Sequence, residues 1–192
     1  MKHITAALLL ILCTSNAAAD WTLDAQQSQL NFISIKKNSI GESHSFQQLS
    51  GSIKNEQAVV YIALASVETG IEIRNTRMQN LLFKSAQNPL ATFSYELPTT
   101  LLNDLARPVG QAIELKGELT LNGKTLPINA TVRAVQSENS LRVTTLQPIL
   151  LNAADFDLVP GIQALQEVAK LSAIATSIPV TFDVSFTQAS EK

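Results

Sequence analysis

Ile113-Glu114-Leu115-Lys116-Gly117-Glu118-Leu119-Thr120-Leu121 alternates without a break: every odd position is apolar or Gly, every even one polar. A helix has a period of 3.6 residues and would not keep these two sets apart. A β-strand has a period of two and does. The stretch therefore predicts a strand with one dry face and one wet face. Asn122-Gly123 follows at once, and Asn-Gly between alternating runs is the strongest short hairpin signal. The return strand puts Ile128, Ala130, Val132 and Ala134 on one face and Asn129, Thr131 and Arg133 on the other. Near the end of the chain, Ile178, Val180, Phe182, Val184 and Phe186 alternate with Pro179, Thr181, Asp183, Ser185 and Thr187. Pro179 suits a strand start or an edge.

Weaker strands are expected over 29–36, 58–64, 91–97 and 141–150. The first is ambiguous in register, because Leu30 and Phe32 compete with Ile33 and Ile35 for the buried face. Two segments break the pattern. Residues 74–83 carry Arg77, Met78, Leu81 and Leu82 at helical spacing, and 160–173 places Ile162, Leu165, Val168 and Ala169 on one stripe behind Pro160. Many short one-sided strands imply a sandwich or a barrel, and local pattern alone does not choose between them.

The N-terminus reads as an export signal. Lys2 supplies the positive charge, residues 6–12 form a short apolar run, and Ala17-Ala18-Ala19 gives a small-residue cleavage site. We expect residues 1–19 to be removed, with Asp20 the first mature residue and 20–192 a single domain. A lipoprotein signal at Cys13 is a rival, but Leu12 is large where that processing wants a small residue. Removing 19 of the 192 residues leaves 173, enough for a sizeable core. It also removes the only cysteine, so no internal disulfide is expected. With Lys2 gone, 13 basic residues face 16 acidic ones, a net charge of −3. There is no basic cluster for nucleic acid and no second apolar run long enough to span a membrane as a helix. A soluble periplasmic or secreted protein is expected, with homodimerisation left open.

Candidate chemistry is sparse. His44 is the one histidine of the mature chain, and Gly41-Glu42-Ser43-His44-Ser45 reads as a polar turn with a solvated histidine. A serine triad needs a base positioned by an acid, and zinc needs several His or Cys ligands. Asp155 and Asp157 lack the oxygen-rich loop that calcium wants. The seven glycines form no phosphate cradle, and the single tryptophan argues against a carbohydrate platform. Asn129-Ala130-Thr131 matches a glycosylation triplet by chance.

The order of short motifs resembles the YceI-like family of periplasmic polyisoprenoid-binding proteins. The matching residues are Trp21-Thr22-Leu23-Asp24, Gln27-Ser28 and Phe32; then Ser66-Val67-Glu68-Thr69-Gly70 and Arg74-Asn75-Thr76-Arg77-Met78. They continue with Leu82-Phe83, Pro89 before Ala91-Thr92-Phe93, and Gly117-Glu118-Leu119-Thr120-Leu121-Asn122-Gly123-Lys124. Gln27 and Arg77 stand where the family has histidines, and Asn75 where it has an aspartate. The resemblance implies a mostly β fold: an eight-stranded, lipocalin-like antiparallel barrel with one or two short helices. It implies an enclosed isoprenoid, quinone or fatty-acid-like lipid. Eight strands make a barrel just wide enough to be filled by side chains or to hold one small ligand.

Three functions remain to be weighed. A lipid carrier or storage protein would line its interior with the apolar faces already found: Phe93, Tyr95 and Leu97; Leu115, Leu119 and Leu121; Ile128 and Val132; Phe182, Val184 and Phe186. A non-catalytic interaction module would fill the same positions as a solid core and expose an apolar patch instead. An enzyme comes last, for want of a nucleophile motif, and no cofactor or metal is expected. Arg74 and Arg77 either stand as a pair at the barrel mouth, gripping a polar head group or pairing with Glu68 or Glu72, or make a surface ion pair that holds the connection between strands, and the second reading is preferred. The helix over 160–173 is expected to lie across one barrel end as a lid.

Overall fold

The computed structural model describes residues 20–98 and 112–188. The expected signal segment, including Cys13, lies outside the described residues. Twelve strand runs form one antiparallel sheet: β1 (Trp21–Leu23), β2 (Gln29–Lys36), β3 (Ile40–Phe46), β4 (Leu49–Lys54), β5 (Gln57–Ala63), β6 (Val67–Glu68), β7 (Leu90–Glu96), β8 (Ala112–Leu121), β9 (Lys124–Gln136), β10 (Ser140–Thr145), β11 (Ile149–Asn152) and β12 (Ser177–Gln188).

These runs are the pieces of eight strands. Along one edge of β12 lie β10 and then β11; along the other lie β1 and then β2. So β1 and β2 are one strand broken by the 3-10 turn Ala25–Gln27, and β10 and β11 are another. In the same way β3 and β4 run side by side with β2 and β1, and β5 and β6 with β4 and β3. Each strand then pairs with the next in sequence, and the last closes onto the first through Trp21↔Gln188 and Leu23↔Phe186. The result is a closed eight-stranded up-and-down barrel, as expected, with two short helices among the described residues. Closure leaves the described strands no free sheet edge to pair with another chain.

The strongest sequence signals behave as expected. The β8–β9 hairpin turns on Asn122 and Gly123, both at positive φ (51° and 75°), the backbone that a type I′ turn requires. In β2 the register resolves toward Leu30 and Phe32: Phe32 is buried, and Ile33 is 38% exposed.

Both helices depart from their expected limits. α1 covers Glu72–Arg77 and runs on as a π-helical turn over Met78–Leu82. α2 covers Val159–Val168, with Pro160 in its first turn, and stops short of 173. Lys170 adopts left-handed φ (52°) just past its end, a conformation that terminates helices. Val168 and Ala169, read as part of the buried stripe, are therefore exposed. α2 rests on the π turn through Gly161, where a Cβ would fall 2.7 Å from the Leu81 carbonyl oxygen and 2.8 Å from Leu82 Cα. Asn122 joins this end together: it donates to the Phe156 carbonyl (2.9 Å) and accepts from Asn88 (3.1 Å). Both helices thus cover the same end of the barrel, as expected of a lid.

Candidate functional site

Along each strand, alternate side chains enter the barrel, and what they enclose is not a solid core. A cavity of about 250 Å³ runs through the interior, several times the roughly 30 Å³ share of a single water. All ten residues singled out from the sequence stand on its wall: Phe93 and Tyr95 from β7; Leu115, Leu119 and Leu121 from β8; Ile128 and Val132 from β9; Phe182, Val184 and Phe186 from β12. Leu97 joins them. Among the described residues no charged side chain lines the cavity, and burial pushes the Tyr95 phenol above its ordinary pKa. An apolar cavity of this kind holds water poorly and hydrocarbon well.

Sequence reasoning missed the other half of the wall. Leu30, Phe32, Phe46, Ile53, Val60 and Ile62 come from the first strands, and Leu82, Phe83, Phe156, Leu158 and Ile162 from the helical end. In β5 the inward set Ala58, Val60 and Ile62 was hidden because the outward set includes Val59 and Tyr61, so the stretch reads apolar throughout. The Leu82-Phe83 pair was noticed as a motif, but its place in the wall depends on the non-local path of the π turn.

His44 is not in a turn. It sits within β3 opposite Phe32, only 3% exposed, and its ring packs at 5.2 Å from that of Phe32. The turn lies earlier, at Lys37 and Asn38, both with positive φ. The misreading has a physical cause. The inward face of this hairpin becomes polar beyond Phe32, through Ser34, Lys36, Glu42 and His44, so the usual contrast of faces vanishes there.

These side chains form a connected group with α1. His44 Nε2 and Ser34 Oγ are 2.8 Å apart. Glu42 receives both Lys36 Nζ and Arg74 Nη1 at 2.9 Å. Arg74 also donates to the Thr69 carbonyl, while Thr69 N–H and hydroxyl both donate to Asn75 Oδ1 at 2.9 and 2.6 Å. Arg74 thus pairs with neither Glu68 nor Glu72; Glu68 accepts the Gly70 N–H instead. His44 Nδ1 and Arg74 Nε are buried without a partner. Burial, and then the nearby Arg74 charge, hold the imidazole below its ordinary pKa of 6.5, with Glu42 opposing. The hydrogen bond from Lys36 is the main cause that holds the Glu42 carboxyl below its ordinary value.

The Ser34–His44 pair has the spacing of a nucleophile and its base, but among the described residues no third group orients Nδ1, and Glu42 is committed to two cations. Among the described residues no group of three or more His, Cys, Asp or Glu could hold a metal, and no helix is long and apolar enough to cross a membrane.

Comparison with known proteins agrees with this architecture. A family model described as the YceI-like domain matches residues 21–186. A polyisoprenoid-binding domain from Saccharophagus degradans, implicated in plant cell wall breakdown, superposes with a TM-score of 0.84 at 34% identity, over 90% of this chain and 100% of that one. BcnA from Burkholderia cenocepacia superposes with a TM-score of 0.68 at 19% identity, over 85% and 98%. A Campylobacter jejuni YceI protein does so at 0.53 and 16%, over the whole of both chains. The latter two speak to the fold alone. Sequence comparison with curated proteins gave no match.

Proposed function

This chain belongs to the YceI-like family, and from that premise we propose that it is a periplasmic carrier or storage protein for one long apolar lipid, an isoprenoid, quinone or fatty-acid-like molecule held inside the barrel. One observation carries the reading: a closed barrel whose interior is an uncharged cavity of about 250 Å³ instead of packed side chains. Leaving such a space empty forfeits dispersion contacts and costs stability. A hydrocarbon chain restores those contacts without bringing any polar group that needs a partner. The similarity to a polyisoprenoid-binding domain at 34% identity supports a prenyl tail as the natural occupant. Phe93, Tyr95, Leu115, Leu119 and Phe182 would then touch the ligand, and export would follow from cleavage after Ala19, with Asp20 as the first mature residue.

Native mass spectrometry of freshly purified protein tests the reading. The expected spectrum shows one lipid-sized adduct per barrel, and delipidated protein should take up one prenyl or fatty-acyl probe. A folded, delipidated protein that takes up neither would overturn the carrier function and leave the interaction module in its place.

A further inference from the structure

Gly117 interrupts the inner face of β8. Leu115, Leu119 and Leu121 line the cavity, and alternation puts residue 117 on the same face between them. It is buried there. A glycine weakens a strand interior, and it marks a place where another group comes close. Here that group is a side chain. Phe93 on β7 stands opposite Leu119, which makes Gly117 its diagonal neighbour, within reach of an aromatic ring. A Cβ at Gly117 would fall 2.6 Å from Phe93 Cε2 and closer still to Cζ. The ring tip therefore occupies the place on the β8 wall that a side chain at 117 would take.

Gly51 shows the contrast. It shares the inner face of β4 with Leu49 and Ile53, which line the cavity. A Cβ there would meet the backbone of β5, with Val60 Cα at 3.2 Å and the Val59 carbonyl oxygen closer still. Gly51 lets two strands approach; Gly117 gives a ring its seat.

The seat bears on the width of the cavity. Interiors are close-packed, so volume held by one side chain is closed to any other group. With its tip on Gly117, the Phe93 ring thickens the wall beside β8 and leaves the rest of the bore to an occupant. A larger ring at 93 would overfill the seat and project into the bore. A shorter side chain would vacate the seat and open the bore toward β8. Both residues belong to paired strands of the closed sheet, and groups held on strands keep their positions better than groups on loops.

We infer that Phe93, seated on Gly117, is a specificity-determining residue: it sets the widest chain that the cavity accepts, so the barrel sorts lipid tails by cross-section. The inference rests on the carrier reading and deepens it. Gly117 is the positioning residue of the pair, since it acts on the occupant through the ring.

The test uses mature protein from Asp20, delipidated, with palmitate and phytanate as probes. The two share a carboxylate and a main-chain length and differ only in methyl branches. Displacement of a fluorescent fatty-acyl probe gives both dissociation constants, and the readout is their ratio, which a general loss of stability does not move. In Phe93→Trp, phytanate should weaken relative to palmitate by about ten-fold, the effect of one misfitting methyl in an apolar pocket. In Phe93→Leu the ratio should move a few-fold the other way. The Phe93→Leu/Gly117→Ala double variant should return to within about two-fold of the wild-type ratio, because the methyl at 117 refills the vacated seat; such non-additivity is the mark of two side chains in contact. An unchanged ratio in folded Phe93→Trp and Phe93→Leu, each still binding palmitate, would overturn the role of Phe93 and leave the carrier standing. Wild-type protein that takes up neither probe would remove both. Should Phe93→Trp fail to fold, the leucine variant and the double variant still decide, since neither enlarges the residue at 93.

Discussion

The ring of Phe93 fills the space that a side chain at Gly117 would need: a Cβ added to that glycine would fall 2.3 Å from Phe93 Cζ and 2.6 Å from the Ser94 carbonyl oxygen. The ring could swing away, but the carbonyl belongs to the neighbouring strand and cannot. Gly117→Ala is therefore expected to destabilise the barrel by about 1–3 kcal/mol, as overpacking usually does. Urea unfolding followed by circular dichroism measures it. A neutral result would mean that β7 and β8 can separate locally at no cost. If the variant folds, its Phe93 ring is pushed into the cavity, and uptake of long probes should fall with it.

Glu118 and Leu119 are neighbours on β8 with opposite surroundings: Glu118 is exposed, and Leu119 is on the cavity wall. A lysine at 119 would set an unpaired cation against apolar walls; one at 118 would stay in water and interact weakly. A fluorescent prenyl or fatty-acyl probe should bind Glu118→Lys like wild type and Leu119→Lys roughly ten-fold more weakly or worse, with circular dichroism confirming that both variants fold. Equal binding would place the probe outside the barrel.

The contrast between β8 and β3 shows what the sequence could reveal. In β8 the barrel interior is apolar and the exterior polar, so alternation exposes strand, register and cavity-facing residues together. In β3 the interior face changes from Phe46 to His44 and Glu42, so the same alternation carries no hydrophobic contrast and the strand reads as a loop. The ten cavity residues could be named from pattern because their strands have one wet face. The wall from Leu82, Phe83, Phe156 and Ile162 could not, because those side chains reach the cavity through contacts between distant segments, such as Gly161 on Leu82. The polar group around Arg74 is legible only once α1 is laid beside the hairpin; Glu42 and Arg74 are 32 residues apart.

On the outer face, Arg142 grips Asp183 with both Nε and Nη2, and Thr144 donates to the same carboxylate at 2.8 Å. The hydrogen bond from Arg142 is the first cause that holds the Asp183 carboxyl below its ordinary pKa of 3.8. Arg142 is 59% exposed, so Arg142→Ala should change stability little. The stability that Asp183 contributes is present above its unfolded pKa and is lost as pH falls through the folded one. Asp183→Asn should therefore lower the melting temperature at neutral pH and flatten the acid limb, so that the variant and the wild type converge in acid. A loss of the same size at every pH would show that the pair serves packing more than charge.

Acid should loosen the helical end of the barrel before it reaches any carboxylate. Burial and the positive charges of Arg74 and Lys36 hold His44 below its ordinary pKa of 6.5, and Glu42 compensates only in part. The folded imidazole is therefore neutral where the unfolded one begins to take a proton. The sign follows from linkage: below about pH 6.5 the unfolded chain binds more protons than the folded one, so stability falls as pH falls, until the folded pKa is reached. The carboxylates with lowered pKa, Glu42, Glu68 and Asp183, have ordinary values of 4.5 or below and act in a lower window. Between about pH 7.5 and pH 5 the slope should belong to His44. The wild-type melting temperature should drop across that range, while the Ser34→Ala/His44→Phe variant, with no group to titrate and no hydroxyl left unpaired, should hold nearly constant. Parallel slopes would mean that the imidazole finds water or a carboxylate on protonation. A steeper wild-type slope would show that the polar group at the α1 end holds a neutral imidazole beside a cation.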